Sequence, residues 1–598
     1  MFLPVTKEEM KERGWQQADF VLVTADAYVD HHSFGTAIIG RLLERYGYKV
    51  AVLPQPDYKS AEDFQRFGKP RLGFLINGGV VDSMVNNYSV FKHKRKTDEY
   101  SPAGKAGKRP DRAVIVYANR AREAYKDVPI IIGGIEASLR RLGHYDYWSD
   151  KVRRSVLLDS KADLLIYGMG ERAILEIAEA LESGIDARDI TWVRGTCYRA
   201  KDLSIAETAG ESNFILLPSF EEISRDKTAY AKSFAIQFKN NDSLSAVTLA
   251  EKYTDTVYVV QNPPQPPLER NELDDVYALP FENEWHPMYD EMGGIPAFKE
   301  IKFSVVSSRG CFGGCSFCAL TYHQGRQVRS RSKEAIVAEV KKLTEKNDFK
   351  GYIHDVGGPT ANFRGPSCKK QLKSGVCTDK DCLYPAVCPN IRPDHSEYLD
   401  VLRAVSNVEG VKKVFIRSGI RYDYLLADPK CDDFIDELCR NHVSGTLKVA
   451  PEHISDRVLY YMRKPSAKVF LEFDKKYKEA NRRLGKKQYL IPYLISSHPG
   501  STLKDAVELA VFLKKYGFVP DQVQDFYPTP GTLSTCMYYT ELDPLTMKPV
   551  YVAKNMEEKR MQRALIHYNK KENRDLVMKA LKKTGNIDLA KYLLYNTK

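Results

Sequence analysis

The 598-residue chain contains no run of about 18 apolar residues, the length a helix needs to cross a bilayer. Its opening stretch, MFLPVTKEEMKERGW, has no basic segment followed by an apolar one, so it does not read as a secretory leader. It shows no internal repeat and no long low-complexity segment, which sets aside a repeat architecture. These absences predict a cytoplasmic protein with no membrane partner. In that reducing compartment the 11 cysteines are expected as thiols, metal ligands or cluster ligands rather than disulfides. Neither sign of charge is scarce: Lys and Arg total 90 against 78 Asp and Glu, a net charge of +12. Over so long a chain this balance permits nucleic-acid contact without requiring it, and solvated surface lysines account for most of it. The excess gathers in FKHKRKTDEY (91–100) and in the tail beginning KNMEEKRMQRALIHYNKK.

What is present is an alternation of apolar runs and helical spacing. At one to two hundred residues per domain, the length predicts about three or four domains. FVLVTADAY (20–28) reads as a buried strand, and TAIIGRLLERYGY follows with Ile38, Ile39, Leu42, Leu43 and Tyr46 at helical spacing. KVAVLPQ, RLGFLING, AVIVYA, VPIIIGG and ADLLIYG continue the strand series, and MGERAILEIAEALESG is another amphipathic helix. The alternation predicts an α/β domain over residues 1–200, a doubly wound parallel sheet. Residues 201–295, with the helical FEEISRDKTAYAKSFAIQFKNN and the proline-rich QNPPQPPLERNELDDVYALPFENEWHPMY, are expected as a connector. A second series begins at IKFSVVSS and runs through KGYIHDV, KVFIRSG, GTLKVAP, QYLIPYLISS and DQVQDFYPT. It predicts a partial or full (β/α) barrel over 296–540, with its chemistry at the C-terminal strand ends. Its first helix, SKEAIVAEVKKLTEK, sets Ile336, Val337, Val340 and Leu343 in a stripe behind Ser332 as cap. A cysteine-rich insert occupies 360–395, and a basic helical tail is expected over 541–598.

Cys311, Cys315 and Cys318 stand as C-x3-C-x2-C in SSRGCFGGCSFCALTYHQGR, directly after the first barrel-type strand. Three thiolates hold three irons of a four-iron cubane and leave the fourth open, as three-ligand zinc sites keep a place for water or substrate. Gly310, Gly313 and Gly314 let the backbone turn tightly around such a group. A zinc site completed by His323 is a rival, and unrelated thiols are the bland alternative.

The pattern resembles that of the radical S-adenosylmethionine (SAM) superfamily. The resemblance implies a [4Fe-4S] cluster whose open iron chelates S-adenosylmethionine, one-electron cleavage to a 5′-deoxyadenosyl radical, and hydrogen abstraction from a substrate, with flavodoxin or ferredoxin as reductant. It also implies roles for matching positions. Phe317 lies where the family packs on adenine. Gly357 and Gly358, in DVGG, match the stretch contacting the methionyl amine, with Pro359 in place of the family's acidic residue. Arg417 and Ser418, in IRSG, sit where ribose and carboxylate contacts occur. Glu452 closes GTLKVAPE, which matches the family's strand at Gly445 and Leu447 but carries Val449 for its second glycine. SSHPGST and YPTPGT resemble late-strand loops of radical SAM methylthiotransferases, which points to RNA or protein as substrate. A closer resemblance, over nearly the whole chain, is to the YgiQ family, in TADAYVDHHSFG, RPDRAVIVYANRAREAY, IIIGGIEASLRRLGHYDYWSD, LLIYGMGER and FYPTPGT. That family has no settled reaction, so the resemblance fixes cofactors better than substrate.

DHHSFG can be read as D-x-H-x-x-G on Asp30, His32 and Gly35, a motif that gives cobalt an imidazole ligand in some corrinoid proteins. Gly133–Gly134 after a later strand also fits such a domain. Against cobalamin stands the YgiQ family's proline at the His32 position. The alternatives are a substrate pocket or an ion-pair network formed by Asp26, Tyr28, Asp30, His31, Glu136, Arg140, His144, Asp146 and Trp148, all at or just after strand ends. Finally, Cys368, Cys377, Cys382 and Cys388 occupy a polar, turn-rich segment. A metal there would supply folding energy, either zinc or a second iron–sulfur cluster, with free thiols the alternative. A non-catalytic zinc-binding nucleic-acid module built on this group is the rival to an enzyme. Cys197, Cys431, Cys439 and Cys536 read as ordinary buried cysteines.

Overall fold

The computed structural model describes residues 1–204, 214–518, 520 and 523–595. Residues 521 and 522, which begin the expected strand DQVQDFYPT, and the last three of the tail lie outside the described residues, as do 205–213 of the expected connector. The chain divides into two compact units, one of Met1–Lys302 with Tyr322–Gly325 and one of Phe303–Thr321 with Arg326–Lys598.

The first unit is built on a nine-stranded sheet. Its strands are β1 (Phe20–Thr24), β2 (Val50–Pro54), β3 (Gly73–Asn77), β4 (Ile130–Gly133), β5 (Leu164–Ile166), β6 (Thr196–Ala200), β7 (Phe214–Leu216), β8 (Thr248–Thr254) and β9 (Val257–Gln261). Their order is β7-β8-β9-β6-β5-β4-β3-β1-β2. β2, β1, β3, β4 and β5 are all parallel, the 2-1-3-4-5 order of a flavodoxin-like doubly wound sheet. β1 and β2 are buried along their whole length, which explains their unbroken apolar runs: helices cover both faces. The helix Gly35–Arg45 joins β1 to β2, and Glu171–Glu182 joins β5 to β6.

Two expectations differ from what is observed. AVIVYA is not a strand but the first half of the helix Ala113–Ala124, which buries Ala113, Val114, Tyr117, Ala118 and Ala121. That is a helical stripe, and a short apolar run by itself fits either element. Residues 201–295 are not merely a connector. They contain the expected helices, Phe220–Arg225 and Lys227–Lys239, but also β7, β8 and β9, which extend the sheet. β9 pairs antiparallel with β6, Cys197 opposite Gln261.

Besides the two-residue strands Ser308–Arg309, Arg329–Ser330 and Tyr352–Ile353, the second unit carries, in chain order, β10 (Ser304–Val306), β11 (Asp355–Gly357), β12 (Lys413–Val414), β13 (Thr446–Glu452), β14 (Tyr489–Ser496) and β15 (Val523–Asp525). β10 and β11 are parallel, as are β13, β14 and β15. Tyr352–Ile353, just before β11, pairs parallel with β12. The helices Lys333–Thr344, Ser396–Ser406, Cys431–Glu437, Ala467–Arg483 and Leu503–Tyr516 connect successive strands. Ser332 caps the first of them by accepting from Ala335 N, and Ile336, Val340 and Leu343 join a core with Val401, Leu402, Phe434 and Phe473. Strand and helix thus alternate as in a (β/α) partial barrel.

The tail is helical, as Met556–Ile566, Arg574–Thr584 and Leu589–Leu594. It packs Met561, Leu565, Val577, Leu581 and Leu593 against Leu509, Ala510 and Leu513 of the last barrel helix. Several of its cations are spent internally: Lys559 is buried and donates to Tyr538, Lys583 pairs with Glu557, and Arg563 with Asp525. No described helix is long and apolar enough to cross a membrane.

Candidate functional site

The loop after β10 presents Cys311, Cys315 and Cys318, all half-buried. Its glycines are dictated by close approach. A Cβ on Gly313 would stand 2.6 Å from Arg421 Nη1 and 3.2 Å from Cys311 Sγ. Gly314 is in the left-handed region (φ +67°), with Asp381 Oδ1 3.3 Å from where a Cβ would lie. Two donors already face the sulfurs: Gly313 N lies 3.4 Å from Cys311 Sγ, and Arg421 Nη1 lies 3.3 Å from Cys315 Sγ. Thr360 Oγ1 is 3.7 Å from Cys311 Sγ. Burial pushes the Cys318 thiol up to about 12 and the Cys311 thiol upward, the neighbouring thiols adding to both. Such a group stays protonated until a cation compensates its charge, so metal binding and deprotonation are coupled here.

The strand ends beside this loop supply polar groups. A Cβ on Gly357 would collide with Ser418 Oγ, and one on Gly358 would lie 2.7 Å from both the carbonyl oxygen and Oγ of Ser308. Asp355 Oδ1 accepts from Arg417 N at 2.7 Å and Ser418 N at 3.2 Å, tying the start of β11 to the chain after β12. Ser307 and Ser308 are buried, and their Oγ atoms have no hydrogen-bond partner among the protein's described atoms. Unpaired buried hydroxyls are costly, and a polar ligand at these strand ends would satisfy them. Glu452 ends β13 in the left-handed region at φ +68°, after a break in register from Val449. That conformation costs a non-glycine residue about 1–3 kcal/mol and tends to mark a functional position. Burial raises its carboxyl pKa, and Lys464 and Arg421 oppose the rise.

Gly357, Gly358 and Ser418 thus converge with Ser308, and Glu452 lies within electrostatic reach of Arg421, which touches Cys315. Arg417 is engaged there through its backbone. Phe317 meets the ring of His498 edge-on at 6.0 Å.

That contact leads to residues the sequence reading missed. Ser316, between two of the cysteines, donates from Oγ to Tyr461 O at 2.7 Å and accepts from Ser534 Oγ at 2.8 Å. His498 Nε2 lies 2.6 Å from Ser534 Oγ, and His498 Nδ1 lies 2.7 Å from Pro499 O. Burial drives the His498 pKa down to about 3. The ring is therefore neutral and carries a single N–H, which serves Pro499 O or Ser534 Oγ but not both. The stretch SSHPGST resembles a late-strand loop of the methylthiotransferases, but nothing in sequence places His498 beside Ser316. Arg421 likewise had no signal, since Gly313 and Cys315, which it reaches, lie 108 and 106 residues upstream.

Cys368, Cys377, Cys382 and Cys388 are free and half-buried. Cys382 and Cys388 pack, together with Cys311, against an apolar cluster of Phe312, Val328, Phe363, Leu383, Ile391 and Tyr424. Phe312 and Phe363 stack at 3.8 Å. Asp381, the neighbour of Cys382, pairs with Arg326 at 3.1 Å and Arg463 at 2.6 Å. Burial pushes the Cys382 thiol up. Neither cysteine group draws three ligands onto one point among the described residues. A single tetrahedral ion requires that arrangement; a cubane does not, because each thiolate takes a different iron. Cys197, Cys431, Cys439 and Cys536 are buried, as expected.

In the first unit the strand-end residues form ion pairs. Arg109 donates to Asp26 at 2.6 Å and to Asp98 at 3.2 Å, and to Gly78 O at 2.7 Å. This fills the ends of β1 and β3, the switch point of the sheet. Asp30, of the D-x-H-x-x-G reading, is buried against Arg41, whose Nε lies 3.1 Å from Oδ2. It is thus committed to an arginine, while His32 packs on His31 at 4.0 Å and Tyr277 at 5.1 Å. His31 Nδ1 accepts from Ser33 N, and Tyr28 OH from Leu3 N. Glu136 accepts from Ser83 N and Val114 N, and Arg140 pairs with Asp82. Burial lowers the His144 pKa to about 3. Against the effect of burial, Ser149 and Arg112 hold Asp146 down at about 2. Trp148 meets Tyr147 edge-on. His323, weighed as a fourth ligand, bonds through Nδ1 to Ser138 Oγ at 3.0 Å.

Comparison with known proteins gives three family matches: "Radical SAM N-terminal" over residues 2–304, "Radical SAM superfamily" over 305–513, and a domain of unknown function, DUF3362, over 521–592. A UPF0313 protein of Clostridium perfringens (strain SM101) is 58% identical over 590 residues, covering 98% of this chain and 88% of that protein. One from Clostridium botulinum (strain ATCC 19397) is 57% identical over 588 residues, covering 98% and 90%. Among solved structures, the radical SAM methyltransferase TsrM of Kitasatospora setae, with cobalamin and a [4Fe-4S] cluster bound, aligns at TM-score 0.47 and 13% identity, covering 87% of this chain and 79% of that one. The cobalamin-dependent enzyme OxsB aligns at TM-score 0.48 and 11% identity, covering 98% and 74%.

Proposed function

We propose that this chain, which belongs to the UPF0313 (YgiQ) family of radical SAM enzymes, holds a [4Fe-4S] cluster on Cys311, Cys315 and Cys318 and binds S-adenosylmethionine at the ends of β10–β13. Membership of that superfamily replaces the non-catalytic module weighed from the second cysteine group. The observation that carries the proposal is the convergence on one loop of three half-buried thiols, donors aimed at two of them, and glycines that leave no room for a side chain.

Such a cluster, when bound, supplies one-electron cleavage of S-adenosylmethionine to a 5′-deoxyadenosyl radical that takes a hydrogen atom from substrate. The chain's own residues do the rest. Arg421 places a cation beside Cys315, which favours the thiolate over the thiol. Gly313 N does the same for Cys311. Gly357 and Gly358 bring backbone, rather than side chain, to the ligand; with Pro359 in the next position, carbonyl oxygens are left to receive the methionyl amine. Ser307 and Ser308 offer the unpaired hydroxyls. Glu452 supplies a buried carboxylate held in place by its own strained backbone. Phe317 provides an aromatic face for adenine. The relay from His498 through Ser534 to Ser316 fixes the loop between Cys315 and Cys318.

The test is to purify the protein without oxygen, reconstitute it with iron and sulfide, and add dithionite and S-adenosylmethionine. Formation of 5′-deoxyadenosine by the wild type but not by Cys311→Ala/Cys315→Ala/Cys318→Ala is expected. Equal product from both would sink the assignment.

A further inference from the structure

The insert between β11 and β12 poses a folding problem. Its only regular element among the described residues is the six-residue helix Lys369–Ser374, and much of its surface is exposed. Backbone ladders therefore do little to order it. Yet it holds fixed partners: Phe363 on Phe312 of the cysteine loop, and Asp381 between Arg326 and Arg463. Something else ties its turns together.

Its cysteines are placed to do so. Cys368 sits at the start of the helix, and Cys382 donates to Ser367 Oγ, one residue before Cys368, at 3.2 Å. Cys388 N donates to Cys382 O at 2.9 Å, so these two are neighbours across a turn. Around them stand cations. Lys370 Nζ lies 4.0 Å from Cys377 Sγ, and Arg326 donates to Cys377 O at 3.3 Å. A complex of four thiolates carries net negative charge, and such flanking cations offset it. On one side Cys382 and Cys388 rest on apolar side chains, a shell that limits water at the centre.

We propose that Cys368, Cys377, Cys382 and Cys388 form a second, four-thiolate metal centre, and that this centre is an iron–sulfur cluster. Zinc-binding cysteines come as pairs two to four residues apart. Here the intervals are eight, four and five residues, so Cys377 and Cys382 alone stand at such a spacing, while Pro389 directly after the last cysteine matches the Cys-Pro that closes a ferredoxin-type ligand run. The centre clamps the insert that carries Phe363 and Asp381 against the loop of Cys311–Cys318. It does not depend on S-adenosylmethionine binding at that loop.

The test uses the full chain with the first group removed, Cys311→Ala/Cys315→Ala/Cys318→Ala, reconstituted without oxygen. About four irons and four sulfides per chain should remain, against about eight of each in the wild type. They should vanish when Cys377→Ala and Cys388→Ala are added. Zinc without sulfide would overturn the cluster assignment, and absence of any metal would overturn the site. Iron retained after loss of both cysteine groups would also overturn it. If the multiple variants fail to fold, the wild-type count decides: about four irons refutes the second centre and about eight supports it. A wild type with its full iron that cleaves no S-adenosylmethionine would count against the proposed activity and leave this centre standing.

Discussion

Arg421 holds Asp423 with one edge of its guanidinium, at 2.7 and 3.0 Å, and reaches Cys315 Sγ with Nη1 at 3.3 Å. A buried cation is thus bound to a carboxylate on one side and aimed at the Cys315 thiol on the other. Burial alone would disfavour its charge, but Asp423 and Cys315 restore it.

Replacing it tests that relationship. In Arg421→Gln the reduced, more negative cluster loses a stabilising donor. Its reduction potential should fall by about 60 mV or more, the equivalent of one charge-assisted hydrogen bond of about 1.5 kcal/mol. Redox-titrated electron paramagnetic resonance reads this directly; an unchanged potential would show that Arg421 only packs.

The relay beyond Ser316 acts at greater distance. His498→Ala leaves Ser534 and Ser316 without their anchor and should cost about 1–3 kcal/mol of stability. Iron content should hold while S-adenosylmethionine cleavage slows, and His498→Gln should recover part of the rate. Melting curves and 5′-deoxyadenosine formation separate the two effects.

Gly358→Ala places a methyl group against Ser308. The expected result is an intact cluster spectrum with cleavage reduced on the order of 100-fold, since displacements of about 1 Å cost that much. Loss of iron instead would mean that the glycine serves the loop rather than the ligand.

The first unit has a distinct pH signature. Burial raises the Glu251 carboxyl from 4.5 to about 7, opposed by Tyr253 and by Gly143 N. Its folded pKa lies above its unfolded one, so the folded state binds the extra proton between those values. The resulting stabilisation is fully present below about pH 4.5 and is lost as pH rises through about 7. The span corresponds to about 3 kcal/mol. Denaturation of Glu251→Gln should show a flatter pH dependence across that window than the wild type.

Much of this site was legible in the chain because its signals are local. Cys311, Cys315 and Cys318 and their glycines lie within nine residues of one another, and β13 and β14 announce themselves as apolar runs. Local signals failed where two elements satisfy them equally. AVIVYA suits a strand or a buried helix until its partners are known, and the strands within 201–295 extend a sheet begun far upstream. Contacts made across the fold had no signal at all: Arg421 lies 106 residues from Cys315, and Ser534 lies 218 from Ser316. Asp30, which the D-x-H reading sets with His32, is held by Arg41 on the helix that follows, a partner the motif itself does not name.

The N-terminal residues cover one edge of the nine-stranded sheet. β2 is the last strand on its side of the nine-stranded sheet, and a bare outer strand invites pairing with another chain. Here Val52 N donates to Pro4 O at 2.8 Å, and Leu3 and Val5 are buried. Proline in the covering segment has no N–H of its own to extend the pairing outward. Removing the first few residues would uncover that edge, and the expected consequence is aggregation by strand addition rather than loss of chemistry.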